Sequence, residues 1–252
     1  MPLLRVARRS INRLLSPLHV EFVRTAASAR DAREYIPFEE TLAGAKAAGL
    51  TVGDYIDKKH NVAGATERAI AEMRSLGVFA GPIRAVCEIG PGSGRYLAKT
   101  QQECHPAHYE IYETARPWAE YLAREYQVLL RPTDGTSLSF TPTASIDLVH
   151  AHKVFVVTPS ITTCGYFLEM VRVATPGGFI VFDCMTEPCL SSEIVEQWMS
   201  WASGFYPCIF SRNYILKFFE SQGCSLVGNF FEPMKPGKTE TFVYKKSAVI
   251  HA

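Results

Sequence analysis

The sequence predicts an α/β protein built on a seven-stranded, mostly parallel sheet. A short apolar segment at 84–89 leads into a glycine-rich turn and then a helical pattern at 94–104, which together predict a strand–turn–helix unit. Short strand-like segments then alternate with helical patterns up to residue 184, which is typical of parallel strands joined by crossover helices. Two alternating segments joined by a Pro-Gly-Lys turn at 236–238 end the chain and predict an antiparallel hairpin.

Length and composition narrow the class of protein. The 252 residues are 47% hydrophobic, which is enough for a large domain with a buried core. The net charge of +1 lacks the basic excess that nucleic-acid binding requires, so nucleic acid is not expected as the main partner. No apolar run reaches the roughly 18 residues of a membrane helix. The seven cysteines form no C-x-x-C pair, which indicates reduced thiols and predicts a cytoplasmic protein.

The region before the first strand, residues 1–80, predicts a layer of helices ahead of a sheet domain at 81–252. Residues 1–24 are basic with apolar residues at helical spacing. This segment is expected to dock on its own domain, or to contact a membrane surface or a partner. Residues 25–50 have a helical pattern, Thr51 has the form of a helix start, and a further helix is predicted at 65–76.

The strands and helices of the sheet domain follow in order along the chain. The predicted strands are 84–89, 108–113, 128–131, 145–152, 179–184, 225–231 and 239–245. The predicted helices are 94–104, 115–126, 160–174 and 212–222. Residues 185–210 are rich in aromatic residues and are treated as an insertion after the fifth strand.

The turn after the first strand is the main candidate binding site. Glu88 stands near the strand end, and Gly90, Gly92 and Gly94 follow at every second position. Glycines permit positive φ and close approach to the backbone, and the next helix directs free N–H groups toward a negatively charged ligand group. A dinucleotide-binding turn would need its third glycine where Arg95 stands, and this turn lacks the G-K-[S/T] of a phosphate-binding loop.

Two acidic residues after later strands are further candidates. Glu113 closes the second strand at the distance from the glycine turn that suits a ribose ligand, and a carboxylate accepts from both vicinal hydroxyls. The alternative is a surface glutamate before a helix. Asp134 and Gly135 follow the third strand, where they are either a ligand contact or a simple turn.

The E-x-G-x-G-x-G turn resembles motif I of the class I S-adenosylmethionine (SAM) methyltransferases. Glu113, Asp134-Gly135 and Pro176-Gly177-Gly178 follow in the order and spacing of that family, so the resemblance covers about residues 84–245. It implies a Rossmann-like fold whose N-terminal helices form a lid over the cofactor, with SAM as that cofactor. The residues that it assigns to SAM are Glu88, Gly90, Gly92, Gly94, Glu113, Asp134, Gly135 and His150.

The exit of the fourth strand indicates the chemistry. The N-P-P-Y element of amino-methyltransferases would place asparagine at 152, where this chain has His152 followed by Lys153, and this disfavours methylation of nucleobase or glutamine nitrogen. An imidazole is suited to removing a hydroxyl proton near neutrality, so we expect O-methylation with His152 as general base. His150 would be its neighbour or a cofactor contact. The alternative is that both histidines are satisfied core residues.

Metal dependence is left open by the sequence. No paired-aspartate site is visible and no metal is predicted, so Mg²⁺ is not assigned as a cofactor. His150, His152 and Asp183 are the one candidate set that would have to converge on an ion.

Four further residues are candidate acceptor contacts: Tyr55, His60, Trp198 and Tyr206. The first two lie in the predicted lid, and the other two lie in the aromatic insertion, where rings suit a sugar face. Solvated loop positions and ordinary packing are the alternatives.

The H-A-H-x-V-F-V strand exit, the basic start and the length resemble bacterial sugar O-methyltransferases of the methylmannose polysaccharide 1-O-methyltransferase type. This resemblance implies a small hydroxylated acceptor, a sugar or oligosaccharide. A lipid, quinone or polyketide-type hydroxyl, and a non-catalytic SAM-binding protein, are the alternatives. An NAD-dependent oxidoreductase is opposed by the glycine spacing and the terminal hairpin. A homodimer is left open.

Overall fold

A computed structural model describes residues 36–200 and 207–248. The predicted helix within residues 1–24, the part of the 25–50 segment that precedes residue 36, and Tyr206 lie outside the described residues. The helices of the described part are α1 (Phe38–Ala48), α2 (Val52–His60), α3 (Ala65–Ser75), α4 (Arg95–Cys104), α5 (Arg116–Glu125), α6 (Ser160–Val173), α7 (Ser192–Ser200) and α8 (Arg212–Ser221). Its strands are β1 (Ala85–Ile89), β2 (His108–Tyr112), β3 (Leu129–Leu130), β4 (Ile146–Ala151), β5 (Ala174–Cys184), β6 (Cys224–Met234) and β7 (Gly237–Lys246).

The seven strands form one mixed sheet in the order β3-β2-β1-β4-β5-β7-β6. β1 pairs in parallel with β2 on one side and β4 on the other, while β7 runs antiparallel to both β5 and β6. The predicted α/β fold with a C-terminal antiparallel hairpin is therefore confirmed. The strand order reverses between β1 and β4, and the carboxyl ends of strands at such a point are where open α/β sheets bind their ligands.

Apolar side chains fill both faces of the sheet, as expected for parallel strands covered by helices. On one face α6 and α8 bury a cluster of aromatic rings that includes Phe167, Phe182 and Phe219. On the other face α3 and α4 bury Met73 and Leu97 against the strands. None of the helices in the described ranges is long and apolar enough to cross a membrane.

The described helices of the N-terminal layer pack onto the start of α4. Thr51 caps α2 by accepting a hydrogen bond from the Asp54 backbone N–H, as its sequence form predicts. Asp57 of α2 forms a buried ion pair with Arg95, with 2.6 Å between Oδ1 and Nη1. This layer therefore lies against the first residue after the glycine turn, and its role as a lid stays a prediction.

Three elements differ from their predicted limits. β5 begins at Ala174, whereas the predicted strand begins at residue 179, after Pro176-Gly177-Gly178. The pairing between β5 and β4 shifts its register at this point, and this irregularity accommodates the three residues within the strand. Within the segment at 185–210, the described residues form the short helix α7, which the aromatic composition alone did not indicate. The hairpin strands are also longer than predicted, since they extend to Met234 and resume at Gly237.

Candidate functional site

The glycine turn adopts the backbone conformation that its composition predicts. Gly90, Gly92 and Gly94 have φ values of 61°, 52° and 75°, a region that other residues rarely enter. A Cβ on Gly90 would lie 2.7 Å from Cγ2 of Val154, so this glycine also allows the loop after β4 to approach. A Cβ on Gly92 would meet nothing within 4 Å. The middle of the turn therefore faces open space beside the N-terminus of α4.

Glu113 lies directly against this turn. Its Oε2 accepts a hydrogen bond of 2.7 Å from the Gly92 N–H, and its Oε1 accepts one of 2.7 Å from the Ala115 N–H. Burial raises the pKa of the Glu113 carboxyl, and the backbone donors oppose that shift. Each oxygen keeps a further lone pair, so the side chain is held in place and is still able to accept from a diol.

The loop after β3 reaches the same place. A Cβ on Gly135 would lie 3.4 Å from the side chain of Thr114, the residue after Glu113. Asp134 accepts hydrogen bonds from the backbone N–H groups of Thr136 and Ser137, which lower the pKa of its carboxyl. The structure thus brings the glycine turn, Glu113 and the Asp134-Gly135 turn together at one edge of the sheet.

These residues fit an adenosyl cofactor of the SAM type. The open space at Gly92 and the N-terminus of α4 suit the carboxylate of an amino-acid tail, because unpaired N–H groups and the helix dipole favour negative charge. The pinned Glu113 suits a ribose diol. When bound there, SAM supplies a methyl group on a sulfonium that carries a good leaving group.

Glu88 and His150 meet inside the face of the sheet that α4 covers. The Tyr109 hydroxyl donates to Glu88 Oε2 over 2.6 Å and lies 3.0 Å from His150 Nε2. Burial raises the pKa of Glu88 to about 8. Burial also lowers the pKa of His150 well below its usual value, and the neighbouring His152 adds to that shift. Near neutral pH this cluster is therefore predominantly uncharged, with the carboxyl protonated and the imidazole neutral.

His152 is the first residue after β4 and lies next to the glycine turn. Ile89 pairs with Ala151, so His152 and Gly90 are the next residues beyond that pair. The imidazole is 6% exposed and stacks on Tyr96 with 3.8 Å between ring centroids and 5° between planes. Neither ring nitrogen has a hydrogen-bond partner, and Nδ1 lies 3.6 Å from Oε1 of Glu232. A buried imidazole with both nitrogens free of hydrogen bonds requires an explanation, since such groups are costly.

Lys153 neutralises the nearby acids. Its Nζ lies 2.8 Å from Asp183 Oδ2 and 3.3 Å from Glu232 Oε2, and its backbone N–H donates to Asp183 Oδ1. Asp183 is therefore held by an ammonium group and does not join the histidines around an ion. Within 36–200 and 207–248, no three His, Cys, Asp or Glu side chains form a metal-binding group.

The predicted acceptor residues have different surroundings. Tyr55 packs its ring against Gly44, between α1 and α2. His60 is half-buried at the end of α2, and its Nε2 is buried without a hydrogen bond. Burial, with the cations Lys59, Arg95 and Lys235, lowers the pKa of His60. Trp198 packs in an apolar cluster with Val156, Met185 and Cys189, which matches the packing alternative.

A groove of about 550 Å³ lies between the helical layer and α4. Its lining includes Lys46, Thr51, Ser93, Gly94 and Lys99. The groove therefore extends from the glycine turn along the outer side of α4.

Sequence reasoning missed four residues of the site: Tyr96, Tyr109, Lys153 and Glu232. Glu232 lies beyond the predicted end of its strand, and the sequence gives no indication that it meets His152. One signal was available in the sequence: an acid at an alternating position of a strand pair implies a charge that faces inward. The structure agrees with this signal, since Glu232 is 2% exposed.

Comparisons with known proteins agree with the fold. Residues 87–182 match a family model described as a methyltransferase domain. Magnesium protoporphyrin IX methyltransferase from Synechocystis PCC 6803, solved with bound SAH, is 14% identical, with a TM-score of 0.58 over 77% of this chain and 86% of that chain. An O-methyltransferase family protein from Burkholderia thailandensis is 15% identical, with a TM-score of 0.57 over 97% of this chain and 72% of that chain.

The N-methyltransferase NodS from Bradyrhizobium japonicum WM9 is 15% identical, with a TM-score of 0.51 over 72% of this chain and 97% of that chain. No curated protein sequence matches the chain. Structural likeness at such low identity shows the shared fold, while the family model identifies the domain. Residues 87–182 therefore contain a methyltransferase domain, and the seven-stranded sheet has the Rossmann-like fold of SAM-dependent methyltransferases.

Proposed function

We propose that this methyltransferase transfers the methyl group of SAM to a hydroxyl oxygen of a small acceptor, with a sugar or oligosaccharide as the acceptor class. The observation that carries the proposal is His152. It is a buried imidazole with both nitrogens free of hydrogen bonds, one residue beyond β4 and beside the glycine turn. An imidazole at this place suits a reaction in which an acceptor proton must be removed.

The cofactor would be held by the three loops that meet at this edge. Glu113 would accept from the ribose hydroxyls, the turn through Gly90, Gly92 and Gly94 would hold the amino-acid tail, and the Asp134-Gly135 turn would contact the adenine. The hydrogen bonds from Gly92 and Ala115 to the Glu113 carboxylate support this, because they orient the acceptor atoms before any ligand arrives.

His152 would accept the hydroxyl proton on one ring nitrogen. The oxygen lone pair would then form the bond to the methyl group that SAM supplies, and the sulfur leaving group would keep the electrons of the broken bond. The imidazolium formed in this way lies beside the carboxylate of Glu232, at 3.6 Å, which favours the charged ring. The remaining task of the protein is to place the hydroxyl in line with the methyl group.

His60 is the acceptor contact that the surroundings favour most. Its buried Nε2 lacks a partner, and the lowered pKa keeps the ring neutral near pH 7, so the ring is able to hydrogen-bond a hydroxyl group. Tyr55 packs between two helices and Trp198 packs in the core, so both contribute mainly to the shape of the domain.

The proposal is tested by incubating the protein with methyl-labelled SAM and a panel of acceptors. The panel contains hydroxylated sugars, a quinol, a phenolic polyketide, a hydroxylated lipid and primary amines. Label on a sugar oxygen supports the proposal. Transfer only to another hydroxyl class would overturn the sugar assignment, and transfer only to the amines would overturn O-methylation.

His152→Gln tests the base in the same assay. Loss of the base is expected to lower kcat by about 10²–10⁴-fold with unchanged SAM affinity. His108→Gln is the matched control. His108 is the first residue of β2, so it lies at the amino ends of the parallel strands, whereas His152 lies at their carboxyl ends. Normal turnover by His152→Gln would exclude His152 as the base.

A further inference from the structure

We propose that Glu232 is the positioning residue of His152, holding the ring with its proton on Nδ1 so that Nε2 is left to accept the proton of the acceptor. This inference rests on the proposed role of His152 as base. Glu232 comes from β6, an edge strand of the sheet that lies far along the chain from the glycine turn, so neither motif spacing nor family resemblance assigns it.

The carboxylate of Glu232 is fixed by groups from three separate segments. The Tyr96 hydroxyl of α4 donates to Oε2 over 2.6 Å, and the Thr241 hydroxyl of β7 donates to Oε1. Lys153, in the loop after β4, places its Nζ 3.3 Å from Oε2. With these contacts satisfied, Oε1 remains directed toward Nδ1 of His152 at 3.6 Å. This separation is longer than a hydrogen bond, and catalytic contacts of this kind tighten in the complex with reactants.

The ring of His152 is held in one plane as well. Tyr96 stacks parallel to it, and His150 lies with its centroid 5.4 Å away. Tyr96 therefore holds both partners at once, since its ring fixes the imidazole plane and its hydroxyl fixes the carboxylate. A carboxylate facing Nδ1 favours the tautomer with the proton on Nδ1, because that N–H then points at negative charge.

The charge of Glu232 is maintained by its surroundings. Burial alone raises the pKa of this carboxyl, but the Lys153 ammonium and the adjacent His152 hold the pKa well below its usual range. The other charged or titratable groups around the ring are Tyr96 and Arg95 from α4, His150 from β4 and Asp183 from β5. Of these, His150 is neutral, and Asp183 is paired with Lys153.

A purely structural role does not account for this second carboxylate. Lys153 already has a closer acidic partner, since its Nζ lies 2.8 Å from Asp183 and 3.3 Å from Glu232. One buried ammonium needs one buried carboxylate, and burying another costs several kcal/mol. His152 supplies the reason for the second one, because an imidazolium formed during proton transfer would need a counter-charge.

The test is the tautomer of His152, read from the ¹⁵N chemical shifts of its ring nitrogens. Histidine-labelled protein is used, and the resonance is assigned by its loss in His152→Gln. The neutral ring is expected to carry its proton on Nδ1 in the parent and to become a mixture of tautomers in Glu232→Gln. Glu240→Gln is the matched control, because Glu240 is an equally buried carboxylate that bonds Thr186, Arg212 and Asn229 instead.

A proton on Nε2 in the parent protein would overturn the proposal. This measurement needs no variant, so it decides the question even if Glu232→Gln does not fold. An unchanged tautomer in a folded Glu232→Gln protein would overturn it as well. With an acceptor from the panel, Glu232→Gln should lower kcat by about 10- to 10³-fold with unchanged KM for SAM. If His152→Gln turned over normally, the proposed base would fail while the tautomer result stood, so the two failures are distinguishable.

Discussion

The buried carboxyl of Glu88 gives the stability of this protein a definite dependence on pH. Burial raises its pKa from 4.5 to about 8, so between these values the folded protein keeps a proton that the unfolded chain has released. Stability must therefore fall as the pH rises through this window, because the unfolded state binds fewer protons. Each pKa unit corresponds to about 1.4 kcal/mol, so the loss between pH 4.5 and 8 is at most about 5 kcal/mol.

Glu88→Gln removes this dependence with little change in shape. The glutamine carbonyl still accepts from the Tyr109 hydroxyl, which now donates to Glu88 Oε2 over 2.6 Å, and the amide does not ionise. The unfolding free energy of the variant is expected to decline less steeply with pH than that of the parent, and to exceed it at pH 8. Urea unfolding at a series of pH values measures both curves. Glu120→Gln is the control, since Glu120 is exposed on α5.

Parallel curves for parent and Glu88→Gln would refute the reasoning, because they would mean that the carboxyl ionises equally in the folded and unfolded states. A steeper fall in the variant would refute it as well. Either result would also remove the neutral Glu88–Tyr109–His150 cluster described above.

Three further predictions concern the edge of the sheet where the cofactor is expected. Glu113→Ala should weaken SAM binding by at least about 10-fold, because hydrogen bonds to a charged group contribute about 1.5–3 kcal/mol each. Calorimetric titration measures the SAM affinity, and the control variant Glu120→Ala should bind SAM normally. Gly90→Ala should lower the unfolding free energy more than Gly92→Ala, since both incur about 1–2 kcal/mol of left-handed strain but only the Cβ at 90 would lie 2.7 Å from Val154. Equal losses in denaturant unfolding would contradict that reading, and Gly92→Ala should instead reduce SAM affinity by filling the open side of the turn.

Local patterns were sufficient for the parts of the site that lie within one strand–turn–helix unit. The positive φ of Gly90, Gly92 and Gly94 follows from glycine at alternate positions after an apolar segment, and the position of Glu113 follows from where the next strand ends. Thr51 as a helix cap was readable for the same reason. Each of these features depends on residues that are near one another in the chain.

The surroundings of the two histidines were not readable in this way. Sequence placed His150 and His152 on one side of β4 but gave no sign that Tyr109 would reach the first, or that Tyr96 and Glu232 would enclose the second. Trp198 is expected at an acceptor site, and the structure shows its ring in an apolar cluster with Val156 and Met185, so its role stays a prediction. Burial and partners of a side chain depend on elements that are distant in sequence.

The sequence by itself determined the order of strands and helices, the glycine turn and the acid that faces it, because periodicity and backbone preference act over a few residues. Only the tertiary structure decided which carboxylates are charged. Glu88 and Glu232 are both buried in strands of the same sheet, yet one carries a proton near neutral pH and the other does not. The physical reason is that Lys153 and His152 lie beside Glu232, whereas Glu88 has Tyr109 and a neutral His150 as its neighbours.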